Sequence, residues 1–230
     1  MKKLSNIEAI SFDADGTLWD FEKVMRNALN FVLLELKKLD PVAATKIDID
    51  QMITIREEVA EKLKGVETNL ERLRLEAFCN SLAAVGRPDD TIAEQLNSVY
   101  LKHRFEDIEL YPDILPTLEI LKKRYTLGIV SNGNSFPGRC GLDGVFEFIV
   151  FSQDYGIEKP DPRLFEIAIE KAGCPREQML HVGDSLECDI LGSARAGIKS
   201  VWLNRNRINN DSSVRPDYEI TFLNEILDIL

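Results

Sequence analysis

The sequence is short of the features that would mark a fibre, a disulfide scaffold or a membrane protein. Its 230 residues include only 4 Cys, at positions 79, 140, 174 and 188, too scattered for a Cys-x-x-Cys pair or a zinc cluster. A chain of this length needs no such staples, so reduced thiols are expected. Gly (13) and Pro (9) follow no period, which excludes collagen-like and low-complexity chains. No run approaches about 18 apolar residues, so no membrane span is expected. The opening segment Met1–Glu8 is basic but leads into no long apolar stretch, and it does not read as a signal peptide. Positive charge is scarce too: 28 Lys and Arg against 39 Asp and Glu leave a net charge of −11. Lys37-Lys38 and Lys122-Lys123-Arg124 sit on helical stretches and read as solvated faces. These points argue for a cytoplasmic protein, monomer or homodimer, with neither nucleic acid nor membrane as partner. An anionic small molecule stays open, because a cation inside a pocket reverses the local field.

Two textures are present. Residues 19–107 lack strand-like runs and show helical spacing over Phe21–Leu39, Met52–Leu63, Leu70–Val85 and Thr91–Arg104, with breakers at Asp40-Pro41, Lys64-Gly65 and Gly86-Arg87-Pro88. Residues 1–18 and 108–230 alternate instead. Strands are expected at Ala9–Phe12, Thr126–Ser131, Glu147–Phe151, Met179–Val182, Lys199–Leu203 and Tyr218–Thr221. Helices are expected at Asp113–Arg124, Pro162–Ala172 and Glu187–Ala196, with an amphipathic end at Phe222–Leu230. Short apolar strands separated by helices of about ten residues imply an α/β fold, a doubly wound parallel sheet of Rossmann-like type. An all-α domain is then inserted after the first strand, with crossovers near Leu18–Phe21 and Ile108–Pro112 that would serve as hinges for a lid.

Polar residues gather where the strands end, which is where an open parallel sheet places its ligands. The first strand runs into Asp13-Ala14-Asp15-Gly16-Thr17, and the strand at Met179–Val182 into Gly183-Asp184-Ser185-Leu186-Glu187-Cys188-Asp189. Taken singly, the first pair fits Asx turns and the second segment fits helix capping by Asp184 or Ser185. Taken together, Asp13, Asp15, Asp184 and Asp189 suit an oxygen-only site for Mg²⁺. Ser131-Asn132-Gly133 ends another strand and is either a phosphate-holding set or simply a good turn. Lys159, just before Pro160-Asp161-Pro162, is either a solvated lysine or the cation that neutralises the acids and a phosphate.

In the order D-x-D, S-N-G, K-P, G-D-x-x-x-x-D, these segments resemble the haloacid dehalogenase superfamily of hydrolases. The run Gly192-Ser193-Ala194-Arg195-Ala196-Gly197 is similar to the family's helix and turn after the last motif, and the insertion resembles its helical cap of the first type. The resemblance implies a Mg²⁺-dependent phosphatase of a small phosphate ester, working through an aspartyl-phosphate. Asp13 would be the nucleophile and Asp15 the general acid and base. Mg²⁺ would lie on the Asp13 carboxylate, the Asp15 carbonyl and Asp184, with Asp189 orienting them. Ser131, the Asn132 backbone N–H and Lys159 would hold the phosphoryl oxygens. A phosphomutase is the alternative. A haloacid dehalogenase is disfavoured because halide needs no leaving-group acid such as Asp15, and an idle binding protein is disfavoured because no catalytic acid is missing. His181 reads as a packed strand residue, His103 as exposed, and Arg56, Arg72 and Arg74 as solvated helix residues that could otherwise reach substrate.

Overall fold

The computed structural model describes residues 3–230; Met1 and Lys2, which begin the basic opening segment, lie outside the described residues. The chain divides into two compact units: Phe21–Ile108, and the flanking segments that end at Asp20 and resume as Glu109–Leu230. Trp19 and Asp20 therefore go with the flanking unit, where the Trp19 backbone bridges both Asp15 and Leu110, and Ile108 goes with the insertion. No helix among the described residues is long and apolar enough to cross a membrane.

The insertion comprises α1 (Phe21–Leu39), α2 (Pro41–Ala44), α3 (Ile49–Leu63), α4 (Leu70–Ala84) and α5 (Asp90–Glu106). Ala28, Val32 and Leu36 of α1 close a core with Met52, Phe78, Leu82, Leu96 and Tyr100 from the later helices. Pro41, read from sequence as a breaker, opens the one-turn α2 instead, because the first helical position has no use for an N–H. His103 is half-buried rather than exposed: it stacks on Phe31 at 3.6 Å and bonds Asp107 at 2.7 Å. Arg72 pairs with Glu67 in solvent, whereas Arg56 and Arg74 lie over the rings of Phe21 and Phe105.

Asp40 caps α2, accepting from Val42 and Ala43 N–H, and also takes Arg87 Nε at 2.6 Å. The Ala43 N–H and then Arg87 hold its carboxyl below the usual range. A depressed acid stabilises the fold above its ordinary pKa, and that contribution is lost as pH falls through the depressed value. Asp40→Asn keeps a capping side chain but loses the charge. The variant is expected to melt below wild type at neutral pH, with the gap closing in acid; circular dichroism melts across pH would show a constant gap if the charge were irrelevant.

The flanking unit carries a parallel sheet of β1 (Ala9–Phe12), β2 (Thr126–Ser131), β3 (Phe148–Phe151), β4 (Met179–Gly183), β5 (Lys199–Leu203) and β6 (Tyr218–Ile220), in the order β3-β2-β1-β4-β5-β6. Its helices are α6 (Ile114–Leu121), α7 (Ser152–Tyr155), α8 (Pro162–Ala172), α9 (Gly192–Arg195) and α10 (Ile226–Ile229). The strand order reverses between β1 and β4, so their carboxyl ends open a crevice. The expected helix over Glu187–Ala196 is divided. Leu186–Leu191 winds as a π-helix before α9, because the Ser185 carbonyl accepts from both Asp189 N and Ile190 N, at 3.0 and 3.2 Å.

Candidate active site

Register delivers the first acid. Phe12 stands opposite Ile129 of β2 and Val182 of β4, so Asp13 emerges at the strand ends, its N–H donating to Val182 O at 2.8 Å. Gly16 turns the chain at φ +88°, and a Cβ there would lie 2.5 Å from Asp184 Oδ2, so the approach of turn and acid demands glycine. Thr17 Oγ1 donates to Asp184 Oδ1 at 3.0 Å, and Trp202 Nε1 donates to Asp184 O at 2.8 Å.

Lys159 arrives from the turn before α8. The Asn132 side chain brackets its main chain, donating to Lys159 O at 3.1 Å and accepting from Lys159 N at 2.8 Å. That leaves the Asn132 backbone rather than its amide for a ligand. The lysine ammonium then donates to Asp13 Oδ1 and Asp189 Oδ1, both at 2.6 Å, and to Val130 O at 2.9 Å. Three acceptors use all three N–H bonds of a side chain that is almost wholly buried. Burial alone would pull its pKa down, but Asp13 and Asp189 hold it above the ordinary range.

The two carboxylates that share this lysine differ in support. Asp189 is buried, yet Lys159 and His181 together keep it below the usual carboxylate range, and its Oδ2 also accepts from the Ser185 N–H. Among the described residues the Asp13 carboxylate has the lysine as its one support; burial, reinforced by Asp189 and Asp184, pushes its pKa up. Asp184 is pushed up to about 6, first by burial and then by Asp189, against the Thr17 bond. His181 is held down by burial.

Of the residues singled out from sequence, Asp13, Asp184 and Asp189 converge, with carboxylate oxygens within 4.8 Å of one another. Lys159 joins two of them. The Asp15 carboxylate is not one of that trio and accepts from Trp19 Nε1 at 2.7 Å. Ser131 ends β2, buried, its Oγ accepting from Gly133 N–H at 3.1 Å. Sequence reasoning passed over Thr17, Trp202 and the contacts of His181. It also passed over Arg205, whose guanidinium stacks 3.9 Å from the Tyr111 ring centroid and donates to Thr17 O at 3.1 Å. Thr17, Arg205 and the Ser11 contact of His181 join segments more than 160 residues apart, which only the sheet order brings together.

The donor set suits a hard divalent cation. It is oxygen-only, it gathers three carboxylates against a single ammonium, and the missing Cβ of Gly16 keeps Asp184 close to the turn. Asp13 and Asp184 have oxygens to offer, whereas both oxygens of Asp189 already accept from protein donors.

The family model for haloacid dehalogenase-like hydrolases matches residues 7–197. The chain is 30% identical over 236 residues to the glyceraldehyde 3-phosphate phosphatase of Methanopyrus kandleri, covering 97% of each chain. It is similar in structure to a 2-haloacid dehalogenase from Pseudomonas syringae, with TM-score 0.83, 30% identity and 97% of each chain covered. It is also similar to the YfnB hydrolase of Bacillus subtilis, solved bound to magnesium, with TM-score 0.77, 26% identity and 98% and 99% covered.

Proposed function

The chain belongs to the haloacid dehalogenase-like hydrolases, and from that premise we propose that it is a Mg²⁺-dependent phosphatase of a small phosphorylated metabolite. One observation carries the choice of phosphate over halide: a second acid, Asp15, stands two residues after Asp13, just before the Gly16 turn, its carboxylate oriented by Trp19 Nε1. A leaving alkoxide needs a proton and a leaving halide does not. The phosphatase relative supports the same choice.

In this reading the Asp13 carboxylate attacks phosphorus, the bond to the alcohol breaks, and Asp15 protonates the departing oxygen. Asp15 then takes a proton from the water that hydrolyses the aspartyl-phosphate, releasing inorganic phosphate and restoring Asp13. Ser131 and the Asn132 N–H hold the phosphoryl oxygens, and the Lys159 ammonium, its N–H bonds taken by Asp13, Asp189 and Val130, adds positive charge beside them, so an anionic nucleophile can approach an anionic ester. Asp13, Asp184 and the Asp15 carbonyl would hold Mg²⁺, with Asp189 orienting the set, and the ion would supply further neutralising charge there.

The test is phosphate release from a panel of phosphorylated metabolites, with Mg²⁺ or EDTA, for wild type and Asp15→Asn. Release is expected with Mg²⁺ alone. In kcat/KM, which reports the transfer step alone, Asp15→Asn is expected to lose about 10²–10⁴-fold on alkyl esters, and much less on nitrophenyl phosphate, whose leaving group needs no proton. Equal losses on both esters would overturn the role of Asp15, and EDTA-resistant release would overturn the metal.

A further inference from the structure

Two buried polar side chains of the sheet take no part in this chemistry. Ser11 on β1 and His181 on β4 stand opposite each other in the parallel register, both fully buried. Ser11 Oγ lies 2.8 Å from His181 Nδ1, and His181 Nε2 lies 3.2 Å from Asp189 Oδ1. The same Asp189 oxygen accepts from Lys159 Nζ, which reaches Asp13. The order Ser–His–Asp is that of a hydrolytic triad, but Ser11 is sealed inside β1, where no substrate can meet it.

Chemistry sets the direction of each proton in this chain of bonds. An ionised carboxylate only accepts, so His181 Nε2 carries hydrogen toward Asp189. In the neutral ring Nδ1 then holds the lone pair, and the Ser11 hydroxyl donates to it. The edge-to-face contact with Phe165, 4.9 Å between centroids, restrains the ring from the side. At the far end, Asp189 Oδ2 is pinned by the Ser185 N–H at 2.9 Å. The carboxylate is thus gripped at both oxygens, and Oδ1 is left facing a lysine whose own stem is long and flexible.

We infer that Ser11 and His181 are positioning residues for Lys159: Ser11 anchors the imidazole by donating to Nδ1, His181 orients Asp189, and Asp189 holds the ammonium against Asp13. The kinetic consequence rests on the phosphatase reading; the chain of bonds does not.

The test combines two measurements on the full chain. Nitrogen NMR of the imidazoles is simple to assign, because the sequence has 2 His. The wild-type ring of His181 is expected as the Nε2–H tautomer, and an Nδ1–H ring would overturn the inference. In nitrophenyl phosphate turnover, His181→Phe is expected to lower kcat by about 10- to 100-fold with KM nearly unchanged. His181→Gln, which can still donate to Asp189, is expected to recover much of that loss. Ser11→Ala is expected to lower kcat roughly 2- to 10-fold, with Ser11→Thr restoring it. In the His181→Phe background Ser11→Ala is expected to add nothing; a loss of the same size there would mean that Ser11 does not act through His181. If His181→Phe fails to fold, the wild-type tautomer and the Ala–Thr comparison at position 11 decide. A wild type that releases no phosphate would count against the phosphatase reading, leaving the tautomer to judge the chain of bonds.

Discussion

Asp13→Asn is expected to abolish phosphate release, by about 10⁴-fold or more, the scale on which covalent catalysis fails when its nucleophile goes. The amide oxygen can still accept from Lys159 at the place where Asp13 Oδ1 now does, so the fold has no reason to break. Stability separates a chemical loss from a structural one. Burial and the neighbouring Asp189 and Asp184 raise the pKa of Asp13, which means that its ionised form is a burden on the metal-free protein at neutral pH. In EDTA the Asn variant is therefore expected to melt no lower than wild type. Residual turnover within about tenfold of wild type in a pure preparation would remove Asp13 from the role of nucleophile.

Lys159→Met is expected to damage both folding and turnover. The Met side chain roughly fills the volume of the lysine stem but leaves Asp13 and Asp189 without the ammonium between them. Breaking a buried ion pair from one side costs about 3–5 kcal/mol, which for a chain of this size lowers the melting temperature by on the order of 10 °C. The pH dependence has a definite sign. In wild type the depressed pKa of Asp189 gives stability that is present above the ordinary Asp range and lost as pH falls through the depressed value. Without the lysine both buried acids have raised pKa values, so their penalty is complete at neutral pH and fades as acid protonates them. The gap between wild type and variant should narrow as pH falls, in melts recorded with EDTA. A gap that stays constant in acid would show that Lys159 contributes packing rather than charge. Phosphate release should fall by about 10²–10³-fold, the cost of one charge-stabilising donor.

Much of this site was legible in the sequence because each of its segments begins where an apolar run stops. Asp13 follows Phe12, Ser131 follows Val130, and Asp184 follows Val182-Gly183, so the strands announced their own ends. What stayed hidden depends on which strands are neighbours. Asn132 and Lys159 are 27 residues apart, and nothing local says that an amide will bracket a lysine's main chain. Thr17 meets Asp184, and Ser11 meets His181, only because β1 lies beside β4. His181 was legible as a packed strand residue, but its bond to Asp189 was not. The π-helix at Leu186–Leu191 escaped for a different reason: a single carbonyl shared by two N–H groups leaves no trace in hydrophobic periodicity.

The central position of β1 also bears on how the chain is made. Its pairing partners begin at Thr126 and Met179, so the first of this sheet's strands to be made cannot be flanked on both sides until the segments that follow it have been made too. In the meantime the insertion, with its own hydrophobic core, has what it needs to collapse by itself. The waiting strand Ala9–Phe12 is short and apolar apart from one serine, the kind of segment that sticks to other unfinished chains. Asp13 and Asp15 come directly after it, so the two acids proposed for the reaction would first act as gatekeepers against aggregation during synthesis.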